Sequence, residues 1–184
     1  MGQIKLPEGA APSTPASTYG ALYNDTNGRL HFLDDAGLNT PLMGVGARVY
    51  NSANISINDS TTTALTFDTE RFDTDAIHST SSNMGRLTCT QAGKYMITAH
   101  VRYATNSTGT RQTAIRLNGT TNIAVDTRAG NTSSNICQVN ITTIYNLAVG
   151  DYVEATAFQN SGGALNVEAS SANSPEFGMW YLGT

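Results

Sequence analysis

The chain has 184 residues, 13% of them charged, and a formal net charge of −4 at pH 7. This length suits one domain with a core of about 130 to 150 residues plus an appendage. The Lys and Arg residues are scattered singly, so nucleic acid is not an expected ligand. No run approaches the roughly 20 apolar residues that span a bilayer, so no membrane partner is expected. The first residues lack the basic and apolar regions of a secretory signal, which favours synthesis in a cytoplasm.

The first 44 residues are predicted to be an N-terminal arm followed by a short β-hairpin. Pro7, Pro12 and Pro15 keep an Ala- and Ser-rich backbone extended. The pair Asn27-Gly28 is a strong hairpin signal, and the sequence DDAG at 34–37 predicts a second turn. The apolar side chains are too few for a private core, so we expect them to attach the arm to sister copies or to a foreign surface. These attachment residues are Ile4, Leu6, Leu22, Leu30, Phe32 and Leu33.

From residue 45 to residue 184 the sequence predicts strand after strand. The clearest run is KYMITAHVRY at 94–103, where apolar and polar residues alternate without a break. Its apolar row is Tyr95, Ile97, Ala99, Val101 and Tyr103. Similar alternation in ICQVNITTIY (136–145) and DYVEATAF (151–158) predicts further strands. No segment of ten residues carries a helical apolar stripe, so we expect an all-β, antiparallel two-sheet sandwich.

Short segments rich in Gly and Asn separate these runs and predict tight turns, because those residues adopt positive φ most easily. The predicted turns lie at 91–93, 118–119, 128–131, 149–151 and 161–163. Turns at such intervals are typical of a sandwich.

The last run, EFGMWYLGT at 176–184, carries large apolar side chains on both faces. The odd-numbered positions from 177 to 181 suit the core, whereas Trp180 and Leu182 face the other way. A strand that is apolar on both faces needs a second covering, from a loop or from another subunit. We therefore expect oligomerisation.

The sequence gives no support for catalysis or for a cofactor. Its three histidines stand apart, and the nucleophile-elbow pattern Gly-x-Ser-x-Gly does not occur. The acidic segment 68–75 could hold Ca²⁺, but its spacing is not that of an EF-hand, and a polar loop is the favoured interpretation. Cys89 and Cys137 lie far apart without metal-ligand neighbours, which favours two buried free thiols over a disulfide. We expect a protein that is not an enzyme and binds no metal.

Three segments resemble landmarks of the C1q/TNF-like jelly-roll superfamily. They are QAGKYMITAHVRY (91–103), LAVGDYVEATAF (147–158) and FGMWYLG (177–183). The stretch LTFDTERFDTDAIHS (65–79) resembles the part of the family that precedes the first landmark. Together, in the expected order, they cover residues 47–183. The resemblance implies a ten-strand jelly roll that assembles as a compact homotrimer.

The resemblance also implies where the trimer forms. The family places the strands that contain 95–103, 136–145 and 177–183 in an inner sheet whose free face meets its copies around the axis. The residues opposite the core rows on these strands are then predicted to form the interface. They are Met96, His100, Gln138, Asn140 and Trp180.

The leader MGQIKLPEGAAPSTPAS, followed by YGALYNDTNGRLHFLDDAG, resembles the starts of small structural proteins of tailed phages. This resemblance implies a virion structural protein at the particle surface, either a capsid decoration or head fibre or part of a tail fibre. Its arm, 1–44, would contact another virion protein of the capsid or tail, and its jelly roll, 45–184, would be displayed. The alternative is a receptor- or glycan-binding module of a tail fibre, whose loops at 105–110 and 128–135 bind a host surface glycan or protein.

Overall fold

The computed structural model describes residues 9–16, 19–26, 28–37, 39–42, 44–131, 137–170 and 173–184. Within these ranges the regular secondary structure consists of β-strands, and no helix there is long and apolar enough to cross a membrane. The chain divides into two compact units, Met1–Val45 and Gly46–Thr184.

The N-terminal unit contains a three-stranded antiparallel sheet, one strand more than the predicted hairpin. Its strands are β1 (Ala21–Asn24), β2 (Leu30–Leu33) and β3 (Asn39–Pro41). In the first turn Gly28 has a φ of 75° and donates its N–H to the Asp25 carbonyl at 3.1 Å, while Asn27 lies outside the described residues. In the second turn Gly37 has a φ of 83° and donates to the Asp34 carbonyl at 3.2 Å. The predicted turn at 34–37 therefore exists, and it leads into the third strand.

The predicted attachment residues lie on both faces of this small sheet. Leu22 is the register partner of Phe32, and Leu30 shares their face because side chains alternate along a strand. Leu22 is 52% exposed and Phe32 is 40% exposed. Leu33 lies on the opposite face and is only 5% exposed. Two further predicted attachment residues lie outside the described part of the chain, Ile4 and Leu6.

The second unit is a sandwich of two antiparallel sheets. Its strands are β4 (Gly46–Tyr50), β5 (Ile55–Ile57), β6 (Thr63–Ala64), β7 (Thr69–Asp73), β8 (Arg86–Thr88), β9 (Gly93–Tyr103), β10 (Asn106–Leu117), β11 (Thr121–Asn131), β12 (Cys137–Leu147), β13 (Tyr152–Gln159), β14 (Leu165–Val167) and β15 (Glu176–Gly183). The seven-stranded sheet has the order β5-β14-β9-β15-β4-β7, and β12 also pairs with β9. The five-stranded sheet has the order β11-β10-β13-β6, and β8 also pairs with β13. The predicted all-β antiparallel sandwich is confirmed.

The core of the sandwich follows the predicted alternation. Every residue of the apolar row on β9 is at most 1% exposed. On β12, Val139 is fully buried, whereas Tyr145 is 36% exposed. The predicted apolar face of this strand is therefore in the core at its start and exposed near its end. Phe177 of β15 stacks on Phe67 with 5.7 Å between the ring centroids. Large aromatic rings that bury their area in this way are a main source of core stability.

The two cysteines are buried free thiols, as predicted. Cys89 and Cys137 are each at most 3% exposed and are not joined by a disulfide. Burial raises the pKa of both thiols above the ordinary range. Because the thiolate is the reactive form, neither side chain is suited to nucleophilic or redox chemistry near neutral pH.

The predicted turns at 118–119, 149–151 and 161–163 each contain a glycine with positive φ. Asn118 and Gly119 have φ values of 49° and 72° in the hairpin between β10 and β11. Gly150 and Gly162 have φ values of 89° and 92°. Most residues with a Cβ rarely adopt these conformations, which is why glycine marks the reversals.

The predicted turn at 128–131 is wrong. Residues 128–131 belong to β11, and most of the predicted loop at 105–110 belongs to β10, while 132–135 lie outside the described residues. Gly130 serves close backbone approach instead of a reversal, because a Cβ there would lie 2.7 Å from the Asn106 carbonyl oxygen. Glycine within a strand commonly has this role.

Candidate interaction surface

Four large apolar side chains form a continuous stripe on the outer face of the seven-stranded sheet. Ile144 of β12 is the register partner of Met96 of β9, which is also the partner of Trp180 of β15. The ring of Phe72 on β7 meets Trp180 edge-on, with 5.8 Å between centroids. Their exposed fractions run from 36% for Trp180 to 61% for Ile144. We call these four residues the apolar stripe, and contiguous exposed apolar patches are candidate sites for binding a protein or another ligand.

A groove of about 310 Å³ runs along the stripe. It is lined by Phe72, Met96 and Trp180 and reaches His100. Gly178 also lines the groove, and the space above it stays open because this residue has no side chain. The groove is therefore mainly apolar, with a polar end at His100.

The Trp180 ring packs over a glycine of its neighbouring strand. Gly46 of β4 is its register partner. A Cβ at Gly46 would overlap the indole ring and would lie 2.7 Å from the Met179 carbonyl oxygen. The backbone N–H of Gly46 donates to Thr74 Oγ1 at 2.9 Å, which fixes this end of β4.

A buried carboxylate with two arginines borders the polar end of the groove. The Glu176 side chain is 3% exposed and shares a small hollow with His100. Arg48 Nε donates to Glu176 Oε2 at 3.0 Å, and Arg71 pairs with Glu176 Oε1. The Arg71 guanidinium also lies over the Tyr50 ring, 4.6 Å from its centroid. Two arginines thus share one buried carboxylate at this border.

The structure places the five predicted interface residues on one face of the seven-stranded sheet. Asn140 is the register partner of His100, and Trp180 is the partner of Met96. Gln138 lies two residues before Asn140 on β12 and therefore on the same face. The sequence therefore predicts the grouping of these side chains that the fold shows.

Sequence reasoning missed two of the four stripe residues. Ile144 could have been found, since it continues the row of Gln138 and Asn140 along the same alternating run. Phe72 has no such signal, because it lies in the acidic segment 68–75, for which the sequence favours a polar loop. The segment is instead strand β7, and an irregular register at Arg48 brings Phe72 next to Trp180.

The acidic segment 68–75 is engaged by protein donors. Asp68 accepts hydrogen bonds from the backbone N–H and the hydroxyl of Ser52, at 2.9 and 2.5 Å. Asp73 accepts three backbone hydrogen bonds, at 2.8 to 3.1 Å, from the turn at 75–78. Within the described ranges, no three His, Cys, Asp or Glu side chains are grouped so that they could hold a metal ion.

No model of a known protein family matches the chain, and no curated protein matches its sequence. Solved structures do match. Murine APRIL at pH 8.5 has a TM-score of 0.57 and 12% identity, covering 76% of this chain and 100% of its own. Eiger TNF from S. frugiperda has a TM-score of 0.54 and 12% identity, and the match covers 76% of this chain and 92% of the Eiger chain. The globular domain of zebrafish complement 1qA has a TM-score of 0.51 and 14% identity, and the match covers 75% of this chain and 97% of the zebrafish chain. At such low identity these similarities show the fold alone, which is the C1q/TNF-like jelly roll.

Proposed function

We propose that this chain is a non-enzymatic structural protein of a phage virion, a homotrimer that displays its jelly roll and is held on the particle by its N-terminal segment. The observation that carries the proposal is the apolar stripe. The resemblance of the leader to tailed-phage structural proteins supports the virion assignment, and the jelly-roll fold supports the trimer.

The stripe favours assembly because covering it removes apolar surface from water, which contributes about 25 cal/mol per Å². Met96, Trp180 and Phe72 line one continuous groove, so a single neighbouring surface can cover all three. In a cyclic trimer the groove of each copy contacts the next copy. All three stripes are then covered, and no copy is left with an unoccupied interface.

Strand β12 supports the same conclusion. It has eleven residues, none of them charged and none of them Pro, and among the described strands it pairs only with β9. Exposed sheet edges are normally protected by charges, Pro or bulges. Near its start Arg128 Nη1 donates to the Gln138 carbonyl at 3.0 Å, and β12 itself offers no charged side chain or Pro to protect the stretch toward Ile144. We infer that a neighbouring copy covers this edge.

The attachment role belongs to the N-terminal unit. Leu22 and Phe32 give its three-stranded sheet one exposed apolar face. A sheet this small gains little stability by itself, so docking onto a partner of the capsid or tail provides the missing burial. Three linked copies also bind with a high effective concentration, which strengthens attachment without new contacts.

Met96→Asp tests the assembly. A carboxylate in the middle of the stripe should prevent burial of that surface, so the variant should be a folded monomer at micromolar concentration, while the unchanged chain is a trimer. Val125→Asp is the matched control, because Val125 is also exposed, at 48%, but lies on β11 of the other sheet. Multi-angle light scattering gives the masses. A monomeric wild type, or a trimeric Met96→Asp variant, would refute the proposed interface.

A second candidate, a receptor- or glycan-binding module, is favoured by the segment 106–110. The Arg111 side chain is fully buried, and its guanidinium donates to the carbonyls of Asn106 at 2.8 Å and of Thr108 and Thr110 at 3.0 Å. A buried cation that binds backbone carbonyls holds this polar segment in one conformation. Rigid, exposed polar segments are suited to recognition, because little entropy is lost on binding.

Glycan arrays and host-cell binding test the second candidate. If the segment 106–110 binds a receptor, Thr108→Trp should lower binding about tenfold or more by blocking the contact. Thr120→Trp, at the exposed hairpin between β10 and β11, is the control and should bind as the wild type does. No binding by the wild type in either assay would eliminate this candidate.

A further inference from the structure

The last residue of β13, Gln159, is fully buried although its side chain is polar. Its Nε2 donates to the carbonyls of Ile57 at 3.1 Å and of Gly163 at 2.8 Å. Its Oε1 accepts from the backbone N–H and the hydroxyl of Ser161, at 2.7 and 2.6 Å. A side-chain amide has two donor hydrogens and two acceptor lone pairs, so Gln159 uses its full capacity. This one residue therefore joins the end of β5 to the segment 160–163.

Further hydrogen bonds around Gln159 link a third segment to these two. The Gln159 carbonyl accepts the Ser60 N–H at 2.7 Å. Asn160 Oδ1 accepts from the backbone N–H of Thr110 at 2.6 Å and from its hydroxyl at 3.1 Å. Three segments are thus tied together at the end of the sandwich where β13 ends. We call them the polar platform, and they are 57–61, 106–110 and 160–163.

The backbone of the polar platform contains three residues with positive φ. Ser60, Gly109 and Gly162 have φ values of 54°, 72° and 92°. A Cβ at Gly109 would overlap the Asn160 carbonyl oxygen, so these two segments pack backbone against backbone. A serine with positive φ persists only where the surrounding structure holds it there. The hydrogen bonds at Gln159 supply that hold, and they fix the platform in one conformation.

Two fully buried polar side chains lie beneath the platform, Gln159 and Arg111. Burial of such groups is costly unless they are hydrogen-bonded, and here their partners are backbone groups of exposed segments. Apolar side chains could fill the same space, but they could not direct the backbone above them. A satisfied network of this kind makes its surroundings rigid. The feature that these two residues maintain is therefore the shape of the surface.

The surface of the polar platform consists of hydroxyl and amide groups. Asp59 is the one charged residue of the three segments, and its carboxylate accepts from the Gly162 N–H at 2.7 Å and from the Ser60 hydroxyl at 3.0 Å. Hydroxyl and amide groups both donate and accept hydrogen bonds, as the hydroxyls of a sugar do. The platform offers no cation at its surface to pair with an acidic ligand. Its exposed polar side chains are Asn58, Ser60, Thr61, Ser107, Thr108 and Asn160.

We propose that the polar platform binds a neutral saccharide of a surface glycan and that Gln159 is the positioning residue that keeps the platform ready for it. This proposal rests on the second candidate function and names its ligand class. Exposed hydrogen bonds contribute little each, so a preformed surface matters because little entropy is then lost on binding. In a cyclic trimer the three platforms face the same direction, and binding several sugars at once strengthens attachment.

Hydrogen exchange in the intact protein tests the positioning role without a ligand. Gln159→Met keeps the length of the side chain but removes all four hydrogen bonds of the amide. The backbone amides of Ser60 and Ser161 should exchange slowly in the wild type and at least about tenfold faster in this variant. Gln112→Met is the matched control, because this half-buried glutamine has one side-chain hydrogen bond, to Thr127, and its loss should leave both amides unchanged. Equal exchange in the wild type and in Gln159→Met would overturn the role of Gln159.

An array of neutral and acidic oligosaccharides tests the ligand class. The wild type and Gln112→Met should bind neutral members, built of hexoses and N-acetylhexosamines, and Gln159→Met should bind them about tenfold more weakly. Asn160→Ala is a second variant for the case in which Gln159→Met does not fold. Its side chain is exposed, so the fold should survive while the loss of the bonds to Thr110 weakens binding in the same direction.

The outcomes separate this inference from the function on which it rests. Binding of acidic oligosaccharides alone would overturn the neutral ligand and leave a glycan-binding module. Adhesion to host cells without binding to any glycan would overturn the saccharide and leave a receptor-binding module. Absence of binding to both would eliminate the second candidate function together with this inference.

Discussion

Trp180 keeps its place on the outer face of the seven-stranded sheet because Gly46 has no side chain. A methyl group at position 46 would overlap the indole, so Gly46→Ala should push Trp180 out of the stripe and destabilise the fold by about 1 to 3 kcal/mol, as overpacking does. Trimer formation should weaken as well. Denaturant unfolding gives the free energy, and light scattering gives the association.

Gly178→Ala is the control for that change. Gly178 lines the same groove, but a Cβ there would contact Thr98 and the Ala47 carbonyl at 3.4 Å, an ordinary van der Waals distance. Its free energy of unfolding should stay within about 0.5 kcal/mol of the wild type. Equal losses in the two variants would contradict the role assigned to Gly46.

At the scale of single elements, the long alternating runs could be predicted from the sequence. Strand β9 has eleven residues, and an unbroken period of two over such a length is typical of a strand with one face on a core. Hairpins closed by Asn-Gly are equally local, because the positive φ values at Asn118 and Gly119 belong to the residues themselves. Each of these features depends only on neighbours along the chain.

The elements that the sequence did not predict depend on distant parts of the chain. Strand β3 has three residues and no alternation of its own, and the Leu42 N–H that follows it donates to the Leu30 carbonyl at 2.8 Å. The sequence predicts a turn at Gly130 because glycine is common in turns. The actual reason for this glycine is its close approach to the Asn106 carbonyl oxygen, which lies on another strand and is not visible from the neighbouring residues. Phe72 of the apolar stripe could not be predicted for the same reason. Its position next to Trp180 depends on the pairing of β7 with β4, which has an irregular register.

At the scale of the whole molecule, the two units allow the attachment and display roles to be separated. Deleting residues 1–44 removes the N-terminal sheet and should leave the jelly roll, whose strands all belong to the second unit, folded and trimeric. The truncated trimer should no longer add to virions that lack the protein, while the full chain should. Sedimentation of virions mixed with each form measures the binding. Normal binding by the truncated trimer would refute the attachment role.

The chain has a single tryptophan, and the structure puts it in the apolar stripe, 36% exposed. All of its indole fluorescence therefore comes from the surface at which the copies are proposed to meet. When a neighbour expels water from that surface, the emission of this one ring moves to shorter wavelength, with no label attached. The emission wavelength of Trp180 therefore reports assembly of the copies, and it can be followed over time at concentrations too low for light scattering.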